Sequence, residues 1–320
     1  MRKLVIVACL FTSLAQAQFE DVAAVAEDLI FLTEKYISPA AEASVYQASG
    51  GWYSNFTPKK TFDVEISLQY NLLFIPNSRK TFVINEAELQ NIGIQGGATI
   101  AEVPTALGGD NVVVLEGQIG DDTFEFDSPE GIGQETVKHG QIQATLGLWK
   151  ETNLIARFAP NIKINDTKYS SFGIGLSHGL NQWIKPLKNS SYHFGALITY
   201  TNYSVEDEFN DADLILGTIN AIKVDGESFG FNLVASKSVK QFDFSTSVGL
   251  ASTKFTYNVG GSGELLLDSL NVALEDLDKS QTNVKFDLNI NYRIKDFSIN
   301  TMLTFGEFAN LNMGVSYNIN

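Results

Sequence analysis

The sequence has 320 residues, of which 44% are hydrophobic and 18% charged, and its formal net charge is −15. The mean hydropathy of −0.01 excludes a disordered chain and a helical membrane protein. Because an acidic surface repels phosphate backbones, nucleic acid is not an expected partner. The single cysteine, Cys9, excludes an intramolecular disulfide framework.

Residues 1–17 have the pattern of a secretory signal peptide. Two basic residues precede the apolar run Leu4 to Leu14, and Ala15-Gln16-Ala17 follows as a small-residue cleavage site. The residues before Cys9 also resemble a lipoprotein cleavage box, but only four apolar residues separate Lys3 from Ala8. Such a run is too short for an apolar signal core. We therefore expect residues 1–17 to be removed on export.

Residues 18–42 form a second unit, with an amphipathic helix expected from Gln18 to Pro39. Its apolar residues share one helical face: Val22, Val25, Ala26, Leu29, Leu32 and Tyr36. Two interpretations remain open. The helix either covers the following domain as an ordinary amphipathic helix or acts as a plug, or hatch, at the mouth of a barrel.

Residues 43–320 alternate between apolar and polar side chains, which predicts β-strands. The alternation is most regular in 282–320 and 61–75, and it returns at His139 after an irregular loop, 86–138. One face of each predicted strand is oily and the other is polar. A loop as long as 86–138 is usually functional or a small subdomain.

The length of the alternating runs favours a membrane over a soluble sandwich. Several runs have eleven or more residues, whereas strands of globular proteins average about 5 to 6 and tilted membrane strands need about 9 to 11. The polar faces carry charges that a soluble core does not accept unpaired. A closed barrel is also the only sheet that spans a bilayer without an unpaired edge.

The fold class expected is therefore all-β, a transmembrane antiparallel β-barrel of the bacterial outer membrane. We predict twelve strands, with ten or fourteen also compatible; the count falls to ten if Ala43 to Asn55 belongs to the plug. Short turns, such as Lys295-Asp296, would lie on the periplasmic side. Three long connections would lie outside: 86–138, the acidic loop 206–225 and 258–281.

Three short motifs carry a resemblance to a known group. They are Tyr-Ile-Ser-Pro at Tyr36 to Pro39, Gly-Gly-Trp-Tyr at Gly50 to Tyr53, and the segment Gly175 to Trp183. With the signal peptide and helix, the sequence resembles uncharacterised outer-membrane barrels of Bacteroidota and, more distantly, FadL-like transporters of hydrophobic compounds. The resemblance implies an outer-membrane location and an N-terminal hatch inside the barrel.

Candidate lumen-lining residues are the charges on the inward parity of the strands. They are Arg157, Lys163, Lys285, Asp287 and Arg293. In an open lumen these residues would favour anionic solutes. In a narrow barrel they would instead form a ladder of structural ion pairs, and the sequence leaves both interpretations open.

Glycines on one inward strip form a candidate docking surface for the N-terminal helix. Gly173, Gly175 and Gly179 share a parity, and their missing side chains leave room for a bulky group. We expect the plug to dock there.

Catalytic and metal-binding patterns are weak. Gly175 to Gly179 matches the G-x-S-x-G nucleophile pattern around Ser177, but that motif requires a strand-to-helix turn and here it lies within a predicted strand. The acidic stretches 121–127 and 206–213 lack EF-hand spacing. We expect no enzyme activity, no metal and no cofactor, with an outer-membrane lipase as the remote alternative.

The leading functional hypothesis is a passive outer-membrane channel or transporter for small solutes, hydrophobic compounds among them. The alternative is a closed structural, adhesive or secretion-associated barrel that works through its acidic outer loops. The expected partners are outer-membrane lipid and a small-molecule solute. The oligomeric state is not determined by the sequence.

Overall fold

The computed structural model describes residues 2–56, 59–164, 167–215, 217–275 and 280–319. A long helix, α1 (Arg2–Ser49), precedes a sheet that closes on itself. The chain also forms two small sheets and a second helix, α2 (Glu264–Leu274). No helix among these residues is both long and apolar enough to cross a membrane.

Among the described residues, fifteen strands follow α1, and ten of them make the barrel. Five shorter strands lie outside its wall: β2 (Thr81–Asn85), β3 (Ile92–Ile94), β4 (Ile100–Pro104), β5 (Val114–Ile119) and β6 (Asp122–Asp127). The barrel strands are β1 (Val64–Phe74), β7 (Thr136–Gly147), β8 (Thr152–Ile164), β9 (Thr167–Gly179), β10 (Tyr192–Leu214), β11 (Gly217–Val239), β12 (Phe242–Ser262), β13 (Ser280–Ile294), β14 (Phe297–Phe305) and β15 (Ala309–Ile319).

The barrel closes through β1, which pairs antiparallel with β7 on one side and with β15 on the other. Each remaining barrel strand pairs antiparallel with its neighbours in sequence. Closure pairs the backbone of every strand on both edges, which is the condition for a sheet in hydrocarbon. The barrel class predicted from the sequence is confirmed.

Side chains alternate between a buried polar lumen and an exposed apolar outer wall. In β1, Glu65, Ser67 and Gln69 face inward and are almost fully buried, while Ile66 and Leu68 face outward and are 42% and 63% exposed. A polar core within an apolar surface is the inverse of a soluble protein. It is the arrangement of a barrel whose outer wall meets lipid.

This pattern reverses at one end of the barrel. On the outside of β10, the apolar residues end at Tyr200, and Asn202, Ser204 and Glu206 follow; on the inside, Tyr203 and Val205 are buried. Since an apolar interior and a polar exterior suit water, this part of the wall projects beyond the lipid belt. The prediction that 206–225 is an acidic loop is wrong, because most of this stretch extends the hairpin of β10 and β11.

The projecting wall belongs to a cap, defined as residues 20–39, 77–135, 202–215, 217–228 and 251–275. It contains the pair β2–β4, the sheet β3–β5–β6 and α2. Leu29, Leu32 and Tyr36 of α1 are buried within its apolar core, together with Phe255 and Leu270. The predicted long loop 86–138 is thus mostly a folded subdomain of this cap.

Two further expectations are corrected. The twelve-strand count is wrong: the strand expected near Lys80 to Asn85 lies in the cap, and Ala43 to Asn55 forms no wall strand, which leaves ten. The helix does not end at Pro39 but continues to Ser49. Pro39 removes only one helical hydrogen bond, and the alanine-rich turns after it favour a helix and pack against the wall.

Candidate functional site: the plugged lumen

The end of α1 and the segment after it lie inside the barrel. We call residues Ala40 to Phe56 the plug. The helix ends where Gly51 adopts a left-handed φ of 71°, a conformation that glycine reaches without strain. The carbonyls of the last helical turn lack the partners that a continuing helix would supply. Trp52 Nε1 donates to the carbonyl of Ala48 at 3.0 Å, and the wall supplies further hydrogen bonds.

Two cations from different strands supply those bonds. Arg157 Nη1 of β8 donates to the carbonyl of Ala48 at 3.0 Å, and Lys285 Nζ of β13 donates to the carbonyl of Ser49 at 2.9 Å. Positive charge at a helix C-terminus also complements the helix dipole. Arg157 and Lys285, both almost fully buried, therefore hold the plug from two sides of the lumen.

Trp52 lies beside this junction, against Arg157 and two glycines of the adjacent strand β9. The guanidinium carbon of Arg157 is 4.0 Å from the centroid of the Trp52 ring. On strand β9, which pairs with the strand of Arg157, a Cβ added to Gly173 or Gly175 would lie 2.8 or 3.0 Å from atoms of that ring. The indole therefore occupies the space that the two glycines leave.

Lower in the lumen, other wall residues contact the plug. Asn289 Nδ2 donates to the carbonyl of Ser54 at 2.7 Å, and Ser54 Oγ donates to Glu65 at 3.0 Å. A Cβ on Gly195 would overlap the ring of Phe56, so this glycine too makes room for an aromatic side chain. The plug thus meets the wall through hydrogen bonds and through rings seated on glycines.

Lys285 is balanced by Asp287 at 2.8 Å. Asp287 is fully buried and also accepts hydrogen bonds from Ser247 at 2.6 Å and Thr304 at 2.7 Å. A buried carboxylate with three donors is satisfied within the protein. Its charge, together with that of Lys285, is therefore not free to attract a solute while the plug is in place.

The structure brings together Arg157, Lys285 and Asp287 at the plug, but not the other two predicted lumen charges. The prediction that Lys163 lines the lumen is wrong. A register shift between Ala159 and Ile162 reverses the parity of β8, so that Lys163 pairs with Glu208 on the outside. Arg293 lies at the rim, where it is 41% exposed and pairs with Asp243.

Of the three predicted docking glycines, Gly173 and Gly175 contact Trp52, whereas Gly179 does not meet the plug. A Cβ on Gly179 would instead overlap Glu151, in the turn between β7 and β8. Sequence reasoning missed Tyr46, whose hydroxyl accepts from the backbone of Glu307 and whose ring lies against Gly306. The helix-favouring alanines before Gly50-Gly51 were the signal that α1 extends this far.

Above the plug, α1 is attached to the cap. The carboxylate of Asp28 accepts three backbone N–H bonds, from Gln90, Asn91 and Ile92, at 2.8 to 3.0 Å. Tyr36 donates to Asp207 at 2.6 Å, and burial, followed by the charge of Asp207, raises the pKa of this phenol well above its ordinary value. The plug and the cap are therefore joined through one helix.

The described residues give no support to a catalytic or metal centre. Ser177 and His178 lie on opposite faces of β9: Ser177 accepts from Asn153, and His178 bonds to Thr152 and Trp183. The serine therefore lacks the adjacent base that a hydrolase needs. Within the same residues, no group of three or more His, Cys, Asp or Glu could hold a metal ion.

A model of a family of unknown function, DUF6588, matches residues 1–319. The chain belongs to this family. No curated protein matches the DUF6588 chain significantly.

Solved structures similar to this DUF6588 chain include a translocator domain, a FadL homologue and an attachment protein. The translocator domain of the autotransporter NalP from Neisseria meningitidis shares 8% identity, with a TM-score of 0.38, covering 90% of this chain and 99% of that one. A Pseudomonas aeruginosa FadL homologue shares 13%, with a TM-score of 0.34, covering 81% and 66%. Ail, the attachment invasion locus protein of Yersinia pestis, shares 8%, with a TM-score of 0.26, covering 81% and 100%.

Proposed function

We propose that this protein is an outer-membrane channel or transporter for small solutes whose lumen is closed by its own plug. The observation that carries the proposal is the chemistry of the interface between plug and wall. Polar side chains of the wall bond to the plug at two levels, with Arg157 and Lys285 at the end of the helix and Asn289 lower in the lumen. Water replaces such hydrogen bonds at small net cost, about 0.5 to 1.5 kcal/mol each.

The wall itself suits a water-filled path. Its inward residues are mainly Asn, Ser, Thr and Gln, such as Asn300, Asn312 and Ser316. A barrel that served only as a rigid anchor has no need of a polar lumen, since apolar packing against the plug would stabilise it more simply. Displacement of the plug would leave a lumen lined by groups that water solvates.

The remaining parts of the proposal concern export and solutes. We propose that residues 1–17 are removed as a signal peptide during export, that the barrel lies in the outer membrane of a bacterium, and that its short turns face the periplasm. The solute is a small molecule, and the compensated charges at Lys285 and Asp287 argue against a fixed preference for anions. Hydrophobic solutes, suggested by the distant resemblance to FadL-like proteins, are one class to include in assays.

One observation favours the alternative of a closed barrel that acts through its cap. The upper part of α1 is buried in the apolar core of the cap and fixed there by Asp28. This arrangement stabilises a closed state, and the cap presents eleven acidic residues against Arg79 and Lys80 in 77–135. A partner that binds this acidic surface would be the natural ligand of a closed barrel.

Liposome swelling separates the two functions. The full chain is reconstituted and its permeability to uncharged sugars and to small amphipathic solutes is compared with that of Trp52→Ala, which removes the ring that contacts Arg157 and the two glycines. The channel proposal expects measurable flux for the wild type and faster flux for the variant. Liposomes that stay impermeable with both proteins would support the closed barrel instead.

A further inference from the structure

The outer wall of the barrel carries a groove near its short-turn end. It has a volume of about 610 Å³ and crosses strands β11 to β14. Three small outward residues, Ala235, Thr246 and Thr301, form its floor, and larger side chains such as Phe244 and Leu288 form its sides. The volume is within the range of about 300 to 1,000 Å³ typical of small-molecule sites.

The pairing of the strands places Ala235 and Thr246 on neighbouring strands and Thr301 two strands beyond Thr246. Ala235 is opposite Thr246, and Thr246 is in turn opposite Leu288. Two residues nearer the turn, Lys237 is opposite Phe244, and Ile290 is opposite Thr301. The groove therefore extends from the level of Lys237 toward the middle of the apolar belt, over about 7 Å for each two residues of strand.

Lys237 marks the end of the groove that faces the membrane surface. Its ammonium lies 4.5 Å from the centroid of the Tyr192 ring and 3.3 Å from the Tyr192 hydroxyl, which fixes its position. Among the described residues, Lys237 pairs with no carboxylate. An apolar groove with a positioned cation at its mouth complements a molecule with an apolar chain and an anionic head.

The charge of the whole short-turn end is consistent with such a molecule. This end carries nine basic residues: Lys59, Lys60, Lys150, Lys185, Lys188, Lys237, Lys240, Arg293 and Lys295. The same turns and strand ends contain five acidic residues, Asp63, Glu65, Glu151, Asp243 and Asp296, of which Glu65 pairs with Lys59 and Asp243 with Arg293. In a chain with a net charge of −15, this concentration of lysines attracts anionic headgroups at this end of the barrel.

We propose that this groove binds one anionic diacyl phospholipid, with an acyl chain on Ala235, Thr246 and Thr301 and the phosphate on Lys237. The phospholipid is a specific ligand of the wall rather than bulk solvent for it. The inference depends on the barrel lying in a membrane and not on whether its lumen conducts solutes.

Native mass spectrometry of the detergent-purified full chain tests the proposal, with phosphatidylglycerol and the zwitterionic phosphatidylcholine as probes. The wild type is expected to retain one phosphatidylglycerol per chain and to bind it about fivefold more tightly than phosphatidylcholine, the preference expected from one lysine near a membrane surface. Lys237→Met should abolish that preference. The double variant Thr246→Leu/Thr301→Leu should fill the groove and so lose the retained lipid. Leucine itself is compatible with a lipid-facing position.

Two matched variants serve as controls. Ala196→Leu enlarges an outward residue of β10, outside the groove, and Lys240→Met removes a lysine of the same rim; both should behave as the wild type. Equal retention by the filled variant, equal affinity for the two lipids, or a wild type that carries no lipid would overturn the proposal. A wild-type dimer that Thr246→Leu/Thr301→Leu dissociates would also overturn it, since a second copy would then occupy the groove.

Discussion

The guanidinium of Arg157 lies 4.0 Å from the centroid of the Trp52 ring and also donates to the carbonyl of Ala48. One wall residue thus holds both the end of helix α1 and the first large side chain beyond it. The planar guanidinium performs both tasks because it stacks on an aromatic face while its edge donates hydrogen bonds. This relationship makes Arg157 the residue through which barrel and plug are most directly coupled.

Replacing Arg157 by lysine should loosen the plug. Lysine keeps the positive charge but lacks the planar fork, so either the stacking on Trp52 or the bond to Ala48 is lost. We expect the free energy of unfolding to fall by about 1.5 to 3 kcal/mol, the value of a hydrogen bond to a charged group, and channel openings to become more frequent. Denaturant unfolding and single-channel recordings measure the two effects.

Arg293→Lys is the matched control for that prediction. Arg293 lies at the rim, 41% exposed, and its ion pair with Asp243 is partly solvated. Exposed pairs contribute about 0 to 1 kcal/mol, so this variant should conduct as the wild type does. If both arginine variants behaved alike, Arg157 would have no special role at the plug.

Adding a methyl group at Gly173 should displace Trp52. The new Cβ would approach the ring to 2.8 Å, and overpacking of this kind costs about 1 to 3 kcal/mol. Gly173→Ala should therefore lower stability and shift tryptophan emission to the red, as the indole moves toward water. In a Trp52→Ala background the clash is absent, so Gly173→Ala should there cost little further stability.

Gly140→Ala provides the control for the glycine substitution. Gly140 is a barrel glycine whose added Cβ would meet nothing closer than 3.9 Å, so this change should leave fluorescence and stability near those of the wild type. Equal effects at Gly140 and Gly173 would mean that the loss reflects strand propensity and not contact with Trp52.

Replacing Asp28 by asparagine should loosen the cap without opening the barrel wall. Three backbone N–H groups converge on the Asp28 carboxylate, and asparagine offers one acceptor oxygen and no charge. Hydrogen–deuterium exchange should rise in residues 86–95 while the barrel strands stay protected. Glu27 is an exposed neighbour whose carboxylate accepts a hydrogen bond from the side chain of Gln90. Glu27→Gln should therefore leave exchange unaltered.

The cap should lose stability at alkaline pH through Tyr36. Burial and the charge of Asp207 raise the pKa of Tyr36 above the value of about 10 for an exposed tyrosine. Above pH 10 the unfolded chain therefore binds fewer protons at this site than the folded chain, and stability falls as pH rises. Thermal melts at pH 8 and pH 11 should show a smaller decrease for Tyr36→Phe than for the wild type; an identical decrease would contradict the assignment to Tyr36.

The barrel was predictable because its signal is local. Each membrane strand must alternate between lipid and lumen, so parity alone identified the inward polar face, including Arg157, Lys285 and Asp287. The same rule failed for Lys163, because a bulge after Ala159 reverses the parity. No local pattern announces such a register shift, since it is set by the neighbouring strand.

The cap and the plug were less accessible to sequence reasoning because long-range contacts define them. Strands β2 to β6 of the cap are three to six residues long and pair across sequence gaps. Their residues therefore show no sustained alternation of apolar and polar side chains. The position of the plug depends on contacts such as Tyr46 with Gly306. The end of α1, in contrast, could have been predicted from Gly50-Gly51, because glycine commonly terminates helices.

A reversible cross-link between plug and wall tests the central claim, that the plug is the gate of a solute path. Gly50 and Asn310 are suitable positions, since a Cβ on Gly50 would lie 3.6 Å from Cγ of Asn310, which puts the two side chains in direct contact. The double variant Gly50→Cys/Asn310→Cys also carries Cys9→Ser, which removes the chain's own cysteine. Ser67→Cys/Ser316→Cys, also with Cys9→Ser, is the control, because these hydroxyls are 2.8 Å apart on two wall strands and their disulfide leaves the plug free.

The measurement is single-channel conductance in a planar bilayer, before and after reduction. The plug–wall disulfide should abolish openings, and reduction should restore them to the wild-type frequency, whereas the wall–wall disulfide should have no effect in either state. Openings that persist through the oxidised plug–wall variant, or an absence of openings in every reduced protein, would contradict the account.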